Sequence, residues 1–206
     1  MAIKVFPMGG QPKPTPDPKQ DRFGWMLEES KKLSTMIKVP TNMIIEIYKC
    51  PTDWEFILKI DALLEAAVRK VLKVALTPND KIDTETVEDF IDGLPMRGRN
   101  SLLSLLKGTG CDKTESDLIE CVRRLRNGFA HDITQVQSNL IEIIKKRGDK
   151  DELVRVLSYT KNVDVEKMVK MFEEDGAFLR FTIVTGTLTF LILAYHAVIK
   201  ESLEKE

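Results

Sequence analysis

The chain reads as an all-α protein, a single helical bundle behind a proline-rich N-terminal tail. Three observations predict this class. Apolar residues recur at helical spacing along most of the chain, and no stretch alternates apolar and polar residues as a half-buried strand does. All nine prolines stand at or before Pro95, so the second half lacks the strongest helix breaker. Hydrophobic residues make up 43% of the 206 and charged residues 31%, a balance that can bury a core and still keep a polar surface.

Residues 1–24 form the tail. The run "QPKPTPDPKQ" has almost no apolar side chains and is expected to be extended or disordered. Residues 25–206 are assigned to the bundle. "DWEFILKIDALLEAAVRKVLKVAL", from Asp53 to Leu76, starts on an Asp cap and gathers Phe56, Ile60, Leu63, Leu64, Ala67, Val71 and Val74 on one face. "TPND" stops it, because Pro78 disfavours helix at Thr77. "DTETVEDFIDGL" is a short helix closed by Gly93, and "NSLLSLLKGTG" another closed by Gly108. "TESDLIECVRRLRNGFAHD" follows, with Thr114 as cap and Asp117 three residues on. "TQVQSNLIEIIKKRG", "DKDELVRVLSY" and "NVDVEKMVKMFEED" are further helices, and a long one runs from about Gly176 to Leu203.

Bulk properties bound the function. A net charge of -1 exerts no global pull on nucleic acid, so a polyanion must be met by a local patch or by patches joined in an oligomer. Cys50, Cys111 and Cys121 are odd in number and make no CxxC pair, which suits reduced thiols in a cytoplasmic setting and neither a disulfide frame nor a zinc site. "MAIKVFPMGG" has too short an apolar run for a signal peptide. No charge interrupts Phe181 to Ile199, yet Thr182, Thr185, Thr189 and His196 share one stripe. That pattern fits a helix buried within a bundle better than a lipid span, and no membrane is expected.

The most polar helical stretch is "RRLRNGFAHD", Arg123 to Asp132. Leu118, Val122, Leu125 and Phe129 form the buried seam of its helix. In an unbroken helix Arg124, Asn127 and His131 line one stripe, while Arg126 lies about 140° from His131 at about 100° per residue. Gly128 weakens the helix and permits a bend that would bring His131 back toward Arg126. It equally permits another helix to approach closely. Arginine matches phosphate oxygens with a fixed fork of donors, and a histidine of pKa about 6.5 can take or give a proton near neutrality. Asparagine can orient either. These types suit cleavage of an RNA phosphodiester and require no metal or cofactor. On spacing alone, the plain end of a helix, with Arg124 and Arg126 in solvent and His131 at the terminus, is the stronger reading.

The fuller string resembles the R-N-x-x-x-H signature of HEPN domains, matched by Arg126, Asn127 and His131. These are compact helical bundles of RNA-targeting toxins, CRISPR nucleases and other defence proteins. The resemblance implies a HEPN-like bundle with Arg126, His131 and Asn127 as catalytic residues in a composite homodimer site that cleaves RNA without metal. A longer resemblance is to the mannitol operon repressor family, through "IDALLEAAVRKVL", "RRLRNGFAHD" and "FLRFTIVTGTLTFL". It implies a non-catalytic regulatory or adaptor protein. A protein partner, such as an antitoxin, fits either. Arg123 and Arg124 are candidate RNA contacts, with solvated helix charge as the stronger role. Asp61 and Glu65 either contact the motif from the neighbouring helix or merely solvate it, with solvation the stronger reading, and His196 is read as a hydrogen-bonded histidine outside it. Arg97 and Arg99, around Gly98, are read as part of a plain turn.

Overall fold

The computed structural model describes residues 22–37, 40, 42–76, 83–131, 137–159 and 163–203. The tail up to residue 21 lies outside them. The described residues form helices and connecting turns, without a strand, so the all-α bundle holds. In order these are α1 (Arg22–Ile37), α2 (Met43–Tyr48), α3 (Asp53–Leu76), α4 (Thr84–Gly93), α5 (Leu102–Gly108), α6 (Lys113–His131), α7 (Leu140–Lys145), α8 (Lys150–Leu157), α9 (Val165–Glu174) and α10 (Gly176–Leu203). The first helix begins ahead of the expected tail boundary at residue 24. It docks on α10 through Met26, which is fully buried, and an edge-on stack of Trp25 against Phe181 at 5.7 Å between ring centroids.

The bundle is organised around α10, α3 and α6. From Phe181 to Leu188 every residue of α10 is buried, so this helix has no solvent face there. Its stretch Gly176–Ala194 is long and apolar enough to cross a membrane by composition, but 67% of it is buried against the rest of the chain. The other helices of the bundle therefore cover the surface that lipid would meet in a span. The buried threonines fit the same setting. Thr182, Thr185 and Thr187 donate their hydroxyls to the carbonyls of Leu179, Phe181 and Ile183 at 2.8 to 2.9 Å, so no polar atom is stranded.

On α3 the buried face is turned from the expected one. Phe56, Ile60, Leu64 and Val71 point inward, but Ile57, Val68, Leu72 and Ala75 join them, while Leu63 and Ala67 are only partly buried. Two sides of α3 are covered, by α10 and by α6, so a single-stripe reading understates its burial. Each fully buried Phe, Ile, Leu or Val among them contributes about 1.5–3 kcal/mol.

Several helix ends differ from the sequence reading in a consistent way. Thr52, rather than Asp53, caps α3, accepting from the Glu55 amide at 3.1 Å. Asp112, rather than Thr114, caps α6 at 3.2 Å. Past α5 the left-handed residue is Gly110, with φ 87°, and Gly108 remains helical. The segment around Arg97 and Arg99 is a turn, with Gly98 at φ 122°.

Freed from capping, Asp53 becomes a joint. One carboxylate oxygen accepts from Arg180 Nε at 2.6 Å and the other from the Leu140 amide at the start of α7 at 2.7 Å. Arg180 also donates to the Cys50 and Tyr48 carbonyls at 2.6 and 3.1 Å, and its guanidinium lies 5.2 Å over the Phe56 ring. One ion pair thus ties α2, α3, α7 and α10.

Gly186 marks a close contact between α10 and α6. A Cβ there would sit 2.7 Å from a Leu118 methyl of α6 and 3.1 Å from the Tyr159 ring. Gly186→Ala is expected to destabilise by about 1–3 kcal/mol through overpacking. Arg180→Ala is expected to lower Tm by about 6–12 °C, because it leaves the Asp53 carboxylate half-buried without its cation. Thermal unfolding followed by circular dichroism checks both.

Candidate functional site

The polar segment lies on α6, and α6 is one continuous helix through Gly128 to His131. Its buried seam is as expected: Leu118, Val122, Leu125 and Phe129 are all at or below 1% exposure. The bend at Gly128 that would join Arg126 to His131 is not present, so the two residues remain about 140° apart around the axis. Gly128 faces α7 with room to spare. A Cβ there would meet Ile143 of α7 at 3.5 Å, an ordinary contact. The side chain of His131, and residues 132–136 after it, lie outside the described residues.

Opposite the seam, the arginines divide between two flanks of the helix. On the α3 flank Arg123 donates through Nη1 to Asp61 at 2.5 Å and to Glu65 at 3.0 Å. Glu65 also accepts from Arg69 at 2.8 Å, and Arg69 continues to the Ile91 and Leu94 carbonyls at 2.6 and 3.2 Å. Asp61 and Glu65 are therefore partners of the motif helix, not solvating charges. Burial pushes the Asp61 carboxyl above the ordinary range, against the pull of Arg123. Burial acts the same way on Glu65, but the hydrogen bond from Arg69 and the nearby arginine charges bring it below that range.

On the α8 flank Arg124 reaches Asp149 at 3.3 Å and Glu152 at 3.2 Å, with Glu120 at 3.6 Å. Arg147 grips Asp149 with two bonds at 2.7 and 2.9 Å. The Arg147 hydrogen bonds hold the Asp149 carboxyl down at about 2. Glu120 also pairs with Arg97 at 2.9 Å, which ties the loop after α4 to α6.

Arg126 is only loosely attached to the α3 network. Its Nη1 donates to Asn127 Oδ1 at 3.2 Å. Its Nε is covered yet makes no hydrogen bond, and lies 3.8 Å from Asp61. With 37% of its side chain exposed, it is the most accessible arginine of the motif. The structure therefore joins Arg126 to Asn127 and Asp61, while Arg123 and Arg124 are engaged by carboxylates of their own chain. His196 is exposed, on α10.

The other reactive side chains are not activated. All three cysteines are free. Burial pushes the Cys121 thiol well up, and burial followed by the charges of Glu115 and Asp112 pushes Cys111 up to about 12. Among the described residues no three His, Cys, Asp or Glu side chains gather as a metal ion would need. No family model, curated protein or solved structure matches this chain.

Two measurements follow from this geometry. Gly128→Ala should stabilise the protein by about 0.5–1 kcal/mol in thermal unfolding, since the helix is unbroken there and a methyl finds room. Acid unfolding should depend on Asp149. Its folded pKa is depressed, so its contribution is fully present above about pH 4 and disappears between about pH 4 and 2. Asp149→Asn should remove that part of the acid-dependent slope in a pH series of urea midpoints; an unchanged slope contradicts it.

Proposed function

We propose that this is a HEPN-like protein acting on RNA, a metal-independent endoribonuclease whose site is completed by a second copy of the chain. The observation that supports it most is Arg126. In a helix whose other motif arginines are neutralised by carboxylates, Arg126 keeps exposed donor capacity and is braced by Asn127. A guanidinium held in this way suits a phosphate diester.

Continuity of α6 argues for the dimer. Positions 126 and 131 lie about 140° apart around the axis of this helix, and one motif histidine per chain is too few for a separate base and acid. A two-fold axis near the end of α6 would set Arg126 of one copy beside His131 of the other, and supply a second histidine. One histidine would take the 2′-hydroxyl proton as that oxygen attacks phosphorus. The other would protonate the departing 5′-oxygen, with the arginines stabilising the charge on the phosphorane. The products would be a 2′,3′-cyclic phosphate and a 5′-hydroxyl. The resemblance implies a cytoplasmic toxin or phage-defence setting, with a protein partner such as an antitoxin holding the activity in check.

One observation favours a second reading. Arg123 and Arg124 are engaged by five carboxylates between them (Asp61, Glu65, Glu120, Asp149 and Glu152), as the structural motif of a regulatory or adaptor protein would require. Such a protein, similar to the mannitol operon repressor family, would lose stability or partner binding when His131 is changed, with no cleavage to lose.

Incubating the purified protein with total RNA in EDTA distinguishes these. The wild type should cleave, and Arg126→Ala and His131→Ala should each reduce the rate by about 100-fold or more. Cleavage that survives both substitutions sinks the nuclease reading, and a wild type without cleavage favours the adaptor.

A further inference from the structure

We propose that Asp61, on α3, is the positioning residue that fixes the Arg126 guanidinium for a phosphate diester. This deepens the RNA-acting reading, on which its kinetic arm rests.

The argument starts from the donors of Arg126. Nη1 is used on Asn127 Oδ1 at 3.2 Å. Nε is covered by protein and has no hydrogen bond. Among the described residues Asp61 is the one carboxylate within ion-pair reach, with Oδ2 at 3.8 Å from that Nε. Nη2 makes no bond to any described residue, so its donors remain for a ligand. An arginine that meets a phosphate with two parallel bonds needs its plane held before the ligand arrives, because its side chain otherwise loses rotamer freedom on binding.

Asp61 is placed to draw that group toward α3 by charge, at ion-pair rather than hydrogen-bond distance. Its side chain is 7% exposed, and the same Oδ2 accepts from Arg123 Nη1 at 2.5 Å. One buried oxygen therefore lies between two guanidinium groups from successive turns of α6. Without its charge the two cations repel each other in a partly desolvated space. The consequences differ for the two arginines. Arg123 has a second carboxylate, Glu65 at 3.0 Å, and stays in place. Arg126 has no other, and its exposed end would swing into solvent. Arg123 also cancels the charge of Asp61 toward an incoming anion, so the carboxylate orients Arg126 without repelling the substrate.

The order of Arg126 is measurable without reference to activity. Its Nε–Hε resonance is identified by loss in Arg126→Lys, and 15N relaxation then reports its order. In the wild type this group should resemble rigid backbone, with an order parameter near about 0.85, and in Asp61→Asn it should fall below about 0.6. Glu65→Gln is the comparator. It removes a partner of Arg123 and Arg69 but none of Arg126, so it should lower Tm while leaving Arg126 ordered. If Asp61→Asn does not fold, the unmutated protein decides. Arg123, Arg126 and Glu65 are the charged groups facing Asp61, and Arg126 should lose order as pH falls through the raised range of the Asp61 carboxyl. Equal Arg126 order in wild type and Asp61→Asn, or order lost equally in Glu65→Gln, overturns the proposal.

The kinetic arm adds a second discriminator. Asp61→Asn should reduce kcat on RNA about tenfold or more with KM little changed, as misplacement of a reacting group does. If Asp61 merely dampens positive charge, KM falls and kcat holds, and that result also overturns the proposal. A wild type that cleaves no RNA counts against the nuclease reading alone, and the relaxation measurement then decides the role of Asp61.

Discussion

The ion pair between Asp53 and Arg180 joins parts of this bundle that lie far apart in the chain. Arg180, near the start of α10, reaches back to the turn between α2 and α3, while the second oxygen of Asp53 receives the first amide of α7. Helix ends are where backbone groups lack partners, and a bundle with many short helices has many of them. Gathering the end of α2 and the starts of α3, α7 and α10 around one half-buried pair satisfies several such groups at once. It also sets the starting point of α10, the helix around which the others pack. Because the pair satisfies backbone groups as well as charges, an apolar replacement of similar size would leave those carbonyls and that amide without partners.

The same economy governs α6. Its seam is apolar and its opposite side carries four basic or amide side chains in five residues, a composition that a lone helix would leave in water. In the bundle the α3 and α8 flanks bring carboxylates to meet them, so most of that charge becomes interhelical adhesion. What remains is an uneven distribution: Arg123 and Arg124 are matched, and Arg126 is matched only in part. That asymmetry, rather than the number of arginines, is what gives the segment its chemical interest.

Much of the architecture was readable from the residues. The bounds of α3, Asp53 to Leu76, and of α10, Gly176 to Leu203, coincide with the expected ones, because long helices with sustained apolar periodicity carry a strong local signal. Helix caps were read one or two positions off. Thr52 and Asp53 are both good capping residues, and which one caps depends on what else competes for the carboxylate. Here Arg180, 127 residues away, competes and takes it. Contact between Asp61 and the motif was the weaker of two readings for a related reason. Asp61 and Glu65 at four-residue spacing look like an ordinary solvated face of α3 until α6 is placed against it.

The residues alone determined the helical class, the two longest helices, the buried seam of α6 and the presence of a polar arc opposite that seam, since each follows from local periodicity. Tertiary structure decided which flank each arginine faces, which carboxylates neutralise it, and whether Gly128 bends the helix. Those outcomes rest on helices outside α6: on α3, whose Asp61 and Glu65 lie 62 and 58 residues before Arg123, and on α7 and α8, which follow it. The local pattern contains both the straight and the bent helix, and the packing of Ile143 of α7 beside Gly128 is compatible with the straight one.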